Sequence, residues 1–475
     1  MERLMGLLGV LAFLGLAYGL SRHRHAIHWK TVAWGLGLQW VFAVIVLKGD
    51  LIKSVLGFLP WPTLHVFHEG TAEQWTAQFG WIILLLMFVP MLLRRFAKFE
   101  DKRVNWGIFA LVVVGLLRGN LVGHAFDKMR VTVEHLMAYG AEGSGFVFGA
   151  LANPKGSIGL VFAFVVLPTI IFVASIFAVL YYLGVMQWIV GACARMMGRI
   201  LKVSGAESVS VAASILMGQT EAPLTIRPFL ARLTQSELMV IMTAGMAHVS
   251  GSIMVAYVQI AHVDIVHLIT AVIMTAPGAV MMAKIMQPEV EEPETQMFGG
   301  GGELKVDIPV HDANVLDAAA RGAFEGGSLA FNVGVMLIAF IALVALINGL
   351  MKFLHPSFTL EAVLGTVFKP FAFLMGVPWN ESGQIGALLG KRMVVNEFVA
   401  FIELGQMTAL SAKAKLVATF ALCGFANFSS IAIQVGGIGA LIPERRGDLA
   451  RLGLRAMLAG TLANFLSACI AGVLT

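Results

Sequence analysis

Apolar runs close to 20 residues long recur from one end of this 475-residue chain to the other. About 20 consecutive apolar residues are what a helix needs to cross the hydrocarbon core of a bilayer. Inside lipid every backbone polar group must find its partner within the protein, so runs of this kind become helices. Composition agrees: 13% of the residues are charged, about half the share usual in soluble proteins. Most of the chain cannot face water, and the expectation is an all-α polytopic membrane protein. The one tract long and polar enough for a soluble piece is 287–314. The first run, 4–20, has only Arg3 before it and no small-residue cleavage site after it. It therefore reads as a retained anchor rather than a signal peptide.

Basic loops set the expected orientation, because cytoplasmic loops collect Lys and Arg. The loop from Arg22 and Arg24 to Lys30 is basic and reads as cytoplasmic, which puts the N-terminus outside. A hydrophobic pair, 81–93 and 108–117, is joined by Arg94, Arg95, Lys98, Lys102 and Arg103, again on the inside. Residues 131–139 are too few and too polar to span and read as a helix lying on the outer surface. Further spans are read at 160–183, 240–257, 265–286 and 331–350, with Arg195, Arg199 and Lys202 on the inner side. Arg445 and Arg446 place the last turn inside and the C-terminus outside. Lys391, Arg392, Lys413 and Lys415 break the pattern by falling outside.

Other chemistries find little footing. Net charge is +5, which implies no nucleic acid partner. Cys193, Cys423 and Cys469 are scattered in apolar stretches without metal-ligand or disulfide spacing, so they read as small core residues. Gly299 to Gly302 have no Lys-Ser/Thr after them and form a connector rather than a phosphate loop. A membrane-embedded enzyme is the rival class. None of the eight aspartates lies mid-span to hold magnesium and diphosphate, and no protease constellation is present. A passive channel is a second rival, distinguishable by flux that neither saturates nor follows an ion gradient.

Two stretches carry the same order of features. The first runs from span 160–183 through Gly184 to Trp188, then Glu207-Ser208, then Gln219-Thr220-Glu221, then an interrupted span around Gly245 to Gly251. The second runs from span 331–350 through Gly376 to Trp379, then Glu381-Ser382, then Asn396-Glu397-Phe398, then an interrupted span around Gly424 to Ser430. One copy starts outside and the other inside, so the repeat is inverted. Paired interrupted segments at matching places in two halves are the best sequence pointer to a transport site. Chance likeness between two apolar stretches is the competing reading.

The tips carry the polar chemistry. Glu221 and Glu397 are the acids most deeply set in apolar sequence. A charge at the bilayer centre costs at least about 2.5–3.5 kcal/mol, so such residues normally face a wet cavity and have partners. Pro223 disfavours helix at Ala222 and points to a hairpin tip at Gln219-Thr220-Glu221. A buried structural pair remains the bland alternative for the two acids. Asn427 and Ser430 can turn to one cavity or merely pack helices, and Phe425 can be a contact or core. Carboxylates and amides with no converging Arg or Lys suit a neutral ligand rich in hydroxyls, and disfavour a phosphorylated or carboxylated one. Arg227 stands alone, six residues past Glu221.

With Gly218-Gln219-Thr220-Glu221-Ala222-Pro223, Arg227-Pro228-Phe229, Gly376-Val377-Pro378-Trp379, Asn396-Glu397-Phe398-Val399-Ala400 and Gly424 to Ser430, the chain resembles the concentrative nucleoside transporters. The likeness covers residues 1–47 and 125–475. It implies a homotrimer in a bacterial inner membrane; the basic loops put the termini on the periplasmic side, and a pair of spans departs from the family, making about ten transmembrane helices, a family core of eight and that extra pair. Residues 1–158 become N-terminal scaffold with an extra hairpin near 79–120, which packs peripherally. Residues 159–286 become the first inverted repeat with re-entrant tip 218–223, 287–314 a cytoplasmic linker, and 315–475 the second repeat with tip 396–400. The resemblance further implies cation symport by an elevator-like movement, without cofactor or catalysis. By position, Gln219, Thr220 and Glu221 with Ile253 hold the nucleobase; Glu397, Asn427 and Ser430, with Phe425 nearby, hold the ribose. Sodium-coupled members hold the ion at positions matching Ser214, Met217, His248 and Val249. Here Ser214 and His248 depart from the usual Asn and Ser/Thr. An imidazole is a poor sodium ligand and titrates near neutral pH, so the coupling ion reads as Na+ or H+.

Overall fold

The fold is described by a computed structural model covering residues 2–49, 121–153, 161–295, 312–355 and 358–475, with four isolated positions between them. The expected hairpin near 79–120, its basic loop and the glycine run at 299–302 lie outside the described residues. The chain divides into two compact units, residues 1–40 with 133–475, and residues 41–132. The first unit holds every candidate site residue.

Every regular element among the described residues is helical. Helices α1 (Glu2–Gly19) and α2 (Trp29–Leu47) open the chain, and α3 (Leu121–Phe148) follows. The helix expected over 131–139 is thus one stretch of a 28-residue helix, which is not among those apolar enough to span. Then come α4 (Phe162–Tyr182), α5 (Val185–Leu201), α6 (Gly205–Ser214) and a 3-10 stretch, Ala222–Arg232. They continue with α7 (Gln235–Ala247), α8 (Gly251–Ala261) and α9 (Ile265–Met286). The second half holds α10 (Val315–Leu354), α11 (Leu360–Leu374), α12 (Trp379–Val394) and α13 (Glu397–Gln406). It ends with α14 (Ala412–Leu422), α15 (Phe428–Leu441) and α16 (Arg446–Leu474). By length and apolarity seven helices among the described residues can cross a membrane, or eight if α11 and α12, bent by 118°, count as one.

The two halves follow one plan: a long apolar helix, an amphipathic helix, a broken pair at the tip, a second broken pair, and a last span. Sequence reading aligned Gly184–Trp188 with Gly376–Trp379, and the element order corrects this. Gly184 joins α4 to α5, whereas Gly376 joins α11 to α12, whose counterpart is the joint before Gly205. The Glu207/Glu381 match survives, and its reason is capping. Glu207 is the third residue of α6 and takes the backbone N–H of Ser204, while Ser204 Oγ takes that of Glu207. A second box of the same kind, Thr234 with Glu237, starts α7. Such boxes satisfy N–H groups that a helix start leaves unpaired. The two boxes are joined, since Ser204 Oγ donates to Glu237 Oε1 at 2.6 Å and Lys284 at the end of α9 pairs with Glu207 at 2.6 Å. In the other half Glu381, third in α12, accepts from the backbone N–H and hydroxyl of Ser411, the N-cap of α14. Each half therefore pins the start of its tip helix to the start of its broken span.

The core lies along α16, which is buried without a break from Ala459 to Gly472 and packs against α1, α7, α9, α14 and α15. By contrast α10 meets mainly α4 and leaves much of its apolar surface open, as a lipid-facing helix does. Lys391 and Arg392, which break the charge pattern in the sequence, are 5% and 1% exposed. They are interior residues of α12, and a rule about loops does not apply to them.

Candidate functional site

The site is built from four helix breaks, and the residues at each break explain it. At the first tip α6 ends at Ser214 and the chain turns through 215–221; Glu221 and Ala222 donate their N–H groups to Gly218 O. Pro223, without an N–H, sits in the first turn of the 3-10 stretch, where none is required. At the second tip Asn396 caps α13 by accepting from Val399 N at 2.9 Å, which leaves Glu397 as the first helical residue. The span between α7 and α8 opens at His248 to Ser250. The span between α14 and α15 opens at Cys423 to Asn427, and Asn427 caps α15 through Ser430 N at 2.9 Å. Helix starts carry free donors and partial positive charge, so Glu397 and Asn427 stand where oxygen-rich groups are favoured.

Several predicted side chains meet. Asn427 Nδ2 donates to Glu397 Oε2 at 3.1 Å, and Ser430 Oγ accepts from Gln219 Nε2 at 3.2 Å. Residues from tip one, tip two and the second break thus form one polar cluster within apolar helices. Thr220 joins by packing, its Cγ2 lying against Gly437 on α15. Phe425 is 8% exposed at the second break, and Ile253, in the first turn of α8, is 6% exposed. Phe425 N donates to His248 O at 3.3 Å, which ties the two breaks together. Glu221 stands apart. Its carboxylate accepts from Gly218 N at 3.3 Å, the charges of Glu325 and Arg321 on α10 act on it, and no hydrogen bond among the described residues links it to Glu397.

Of the four positions matched to an ion site, Ser214 and His248 meet. His248 is 1% exposed, and its Nδ1 lies 2.8 Å from both Ser214 Oγ and Ala244 O. Ser214 Oγ donates to Val211 O at 2.8 Å, so it accepts from the ring, and Nδ1 carries the hydrogen. Nε2 is buried with no hydrogen-bond partner among the described residues. Val249 is fully buried beside it, and Met217 lies one turn past Ser214.

Sequence reasoning missed four polar residues here. Tyr257 on α8 donates its hydroxyl to Glu397 Oε1 at 3.0 Å. Gln434 on α15 is fully buried against Gln219. Arg392 Nε donates to Gly424 O at 3.1 Å and its guanidinium also reaches Asn464 Oδ1. Asn464 Nδ2 donates to Ala247 O and Cys423 O at 2.9 and 3.0 Å. A signal existed for Gln434 and Asn464, since each is a polar residue inside an otherwise apolar stretch, and such residues are costly unless they have a role. Arg392 also qualifies the reading that no cation converges on the tips: its charge acts on Glu397 while its hydrogen bonds go elsewhere.

Broken spans meeting at a buried polar cluster, with irregular backbone lining it, define a polytopic membrane transport protein. Three family models match: "Na+ dependent nucleoside transporter N-terminus" over residues 8–60, "Nucleoside recognition" over 163–263, and "Na+ dependent nucleoside transporter C-terminus" over 267–472. An uncharacterized transporter of Haemophilus influenzae is 45% identical over 78% of this chain and 89% of its own. The sodium/nucleoside cotransporter 1 of Rattus norvegicus is 34% identical over the whole chain, which spans 64% of that longer protein. Among solved structures, CNTnw in an inward-facing substrate-bound state superposes with a TM-score of 0.79 at 36% identity, covering 99% of both chains. The chain belongs to the concentrative nucleoside transporter family. Its relatives with an assigned role are cotransporters, not enzymes.

Proposed function

We propose that this protein takes up nucleosides by cation symport, with the tip-bearing helices moving as an elevator against a scaffold. The observation that carries the reading is the cluster joining Gln219, Ser430, Asn427 and Glu397 across the two halves. A carboxylate and an asparagine at two helix starts suit the hydroxyls of a ribose, and the paired amide and hydroxyl at the first tip suit a base edge. Thr220, Glu221, Ile253 and Phe425 complete the proposed nucleoside site. Glu221 contributes from the first tip, where its carboxylate accepts from Gly218 N. Elevator movement is supported by solved forms of CNTnw described as inward-facing, outward-facing and intermediate.

The proposed ion site is Ser214, Met217, His248 and Val249, and the proton is the cation its geometry supports best. A sodium ion needs several oxygen ligands at short range, and here Ser214 Oγ is taken up by a hydrogen bond to the imidazole of His248. The sodium-dependent descriptions of the relatives favour the second reading, with His248 turned aside and backbone oxygens holding Na+. Uptake in proteoliposomes with sodium replaced by choline at fixed pH separates them. Uptake that persists without sodium and rises with an inward proton gradient is the expected result; strict dependence on sodium overturns it. The termini are proposed to face the periplasm of a bacterial inner membrane, with 287–314 as the cytoplasmic linker.

A further inference from the structure

The amide of Gln219 is held at both ends by one helix of the opposite half. Its Nε2 donates to Ser430 Oγ at 3.2 Å, and its Oε1 lies 3.4 Å from Gln434 Nε2. Ser430 and Gln434 are four residues apart on α15, on one face of the helix. Gly437, three further on, packs against Thr220 on the same face.

A serine hydroxyl can donate or accept, so Ser430 by itself does not decide which end of the Gln219 amide faces it. Gln434 does. Its Nε2 also lies 3.1 Å from Met242 O, a backbone carbonyl that can only accept. That contact puts the NH2 of Gln434, and not its oxygen, in this direction. The second hydrogen of the same NH2 then faces Gln219 and requires an acceptor there, so Gln219 presents Oε1 to Gln434 and Nε2 to Ser430. The order of donors and acceptors thus runs from Met242 through Gln434 to Gln219. The room for it comes from Gly245: a Cβ there would lie 2.6 Å from Gln434 Nε2 and 3.2 Å from Gln219 Cβ.

We infer that Gln434 is a positioning residue for nucleobase recognition, fixing through Met242 O which edge the Gln219 amide offers to the base. The inference rests on the proposed role of Gln219 at the base. Gln434 touches no substrate. It removes the alternative amide orientation, which would present a donor where an acceptor is needed.

The test uses the full chain in proteoliposomes and two probes. Uridine carries a hydrogen-bonding base edge, and a ribosyl benzene keeps the sugar but has no such edge. Apparent KM for uridine and the inhibition constant of the ribosyl benzene are measured for Gln219→Ala, Gln434→Leu, Gly245→Ala and the double variant Gln219→Ala/Gln434→Leu. Losing one neutral hydrogen bond changes affinity by about three- to tenfold. Gln434→Leu and Gly245→Ala are expected to raise the uridine KM by that factor and leave the ribosyl benzene constant within about twofold. The double variant is expected to match Gln219→Ala, because coupled sites are not additive. Equal losses for both probes, or additive losses, would mean general packing and overturn the positioning role. An unchanged uridine KM in Gln434→Leu overturns it as well. An unchanged uridine KM in Gln219→Ala instead removes the base-contact reading beneath it.

Discussion

At the scale of single residues, Glu397 is the side chain on which most of the proposed site depends. It is 5% exposed, begins α13, and accepts from Tyr257 and Asn427, one to each oxygen. Glu397→Gln keeps the size, removes the charge and replaces one acceptor by a donor. Hydrogen bonds to a charged group are worth about 1.5–3 kcal/mol, so nucleoside uptake is expected to fall at least tenfold. Normal uptake by a well-expressed variant would count against a grip on the sugar. The glutamate and its asparagine partner could be picked out in the sequence because each is polar within apolar surroundings. Tyr257 could not, because a tyrosine in a span is ordinary until its hydroxyl is seen to have a carboxylate beside it.

At the scale of elements, the two broken spans are held open and held together by Asn464 and Arg392. Asn464 donates to Ala247 O, the last carbonyl before the first break, and to Cys423 O, the first within the second, and Arg392 holds Gly424 O. Gly424 is required by this approach: a Cβ there would lie 2.5 Å from Asn464 Oδ1 and 2.6 Å from Ala247 O. An unwound segment in lipid needs such partners, since no water replaces them. Asn464→Leu, close in size, leaves two carbonyls and one guanidinium nitrogen of Arg392 without these partners, at about 1–3 kcal/mol each. The expected result is a clear fall in the thermal midpoint of the detergent-solubilised protein, greater than for a leucine placed at the exposed Gln406. An unchanged midpoint overturns the bracing role. The positions of the breaks were legible from Gly, Asn and Ser within apolar runs. The brace was not, because Asn464 lies 41 residues from Cys423 and 217 from Ala247.

At the scale of the whole molecule, α10 is the element most in need of company. Phe324 and Ile338 are 81% and 76% exposed, and Leu316, Phe331 and Phe353 are similarly open. Such a face must meet lipid or another copy of the chain. With the trimer that the resemblance implies, native mass spectrometry of the detergent-extracted protein is expected to give three chains. A monomer at all detergent concentrations that preserve uptake would exclude it.

The all-helical membrane fold, the two tips and the family were all readable without coordinates, since apolar run length, helix breakers and contiguous motifs are local properties of a chain. The capped helix starts at Ser204, Thr234 and Ser411 are local features too, but they were recognised only in the folded chain. Which side chains pair across the halves was settled by the folded molecule alone: Gln219 with Ser430 and Gln434, Glu397 with Tyr257, and Asn464 with both breaks. The fold also made Lys391 and Arg392 interior and engaged the Glu221 carboxylate with Gly218 N. Those pairings depend on how helices separated by many residues rotate about their axes, and that rotation is chosen by packing of the whole unit rather than by any local pattern.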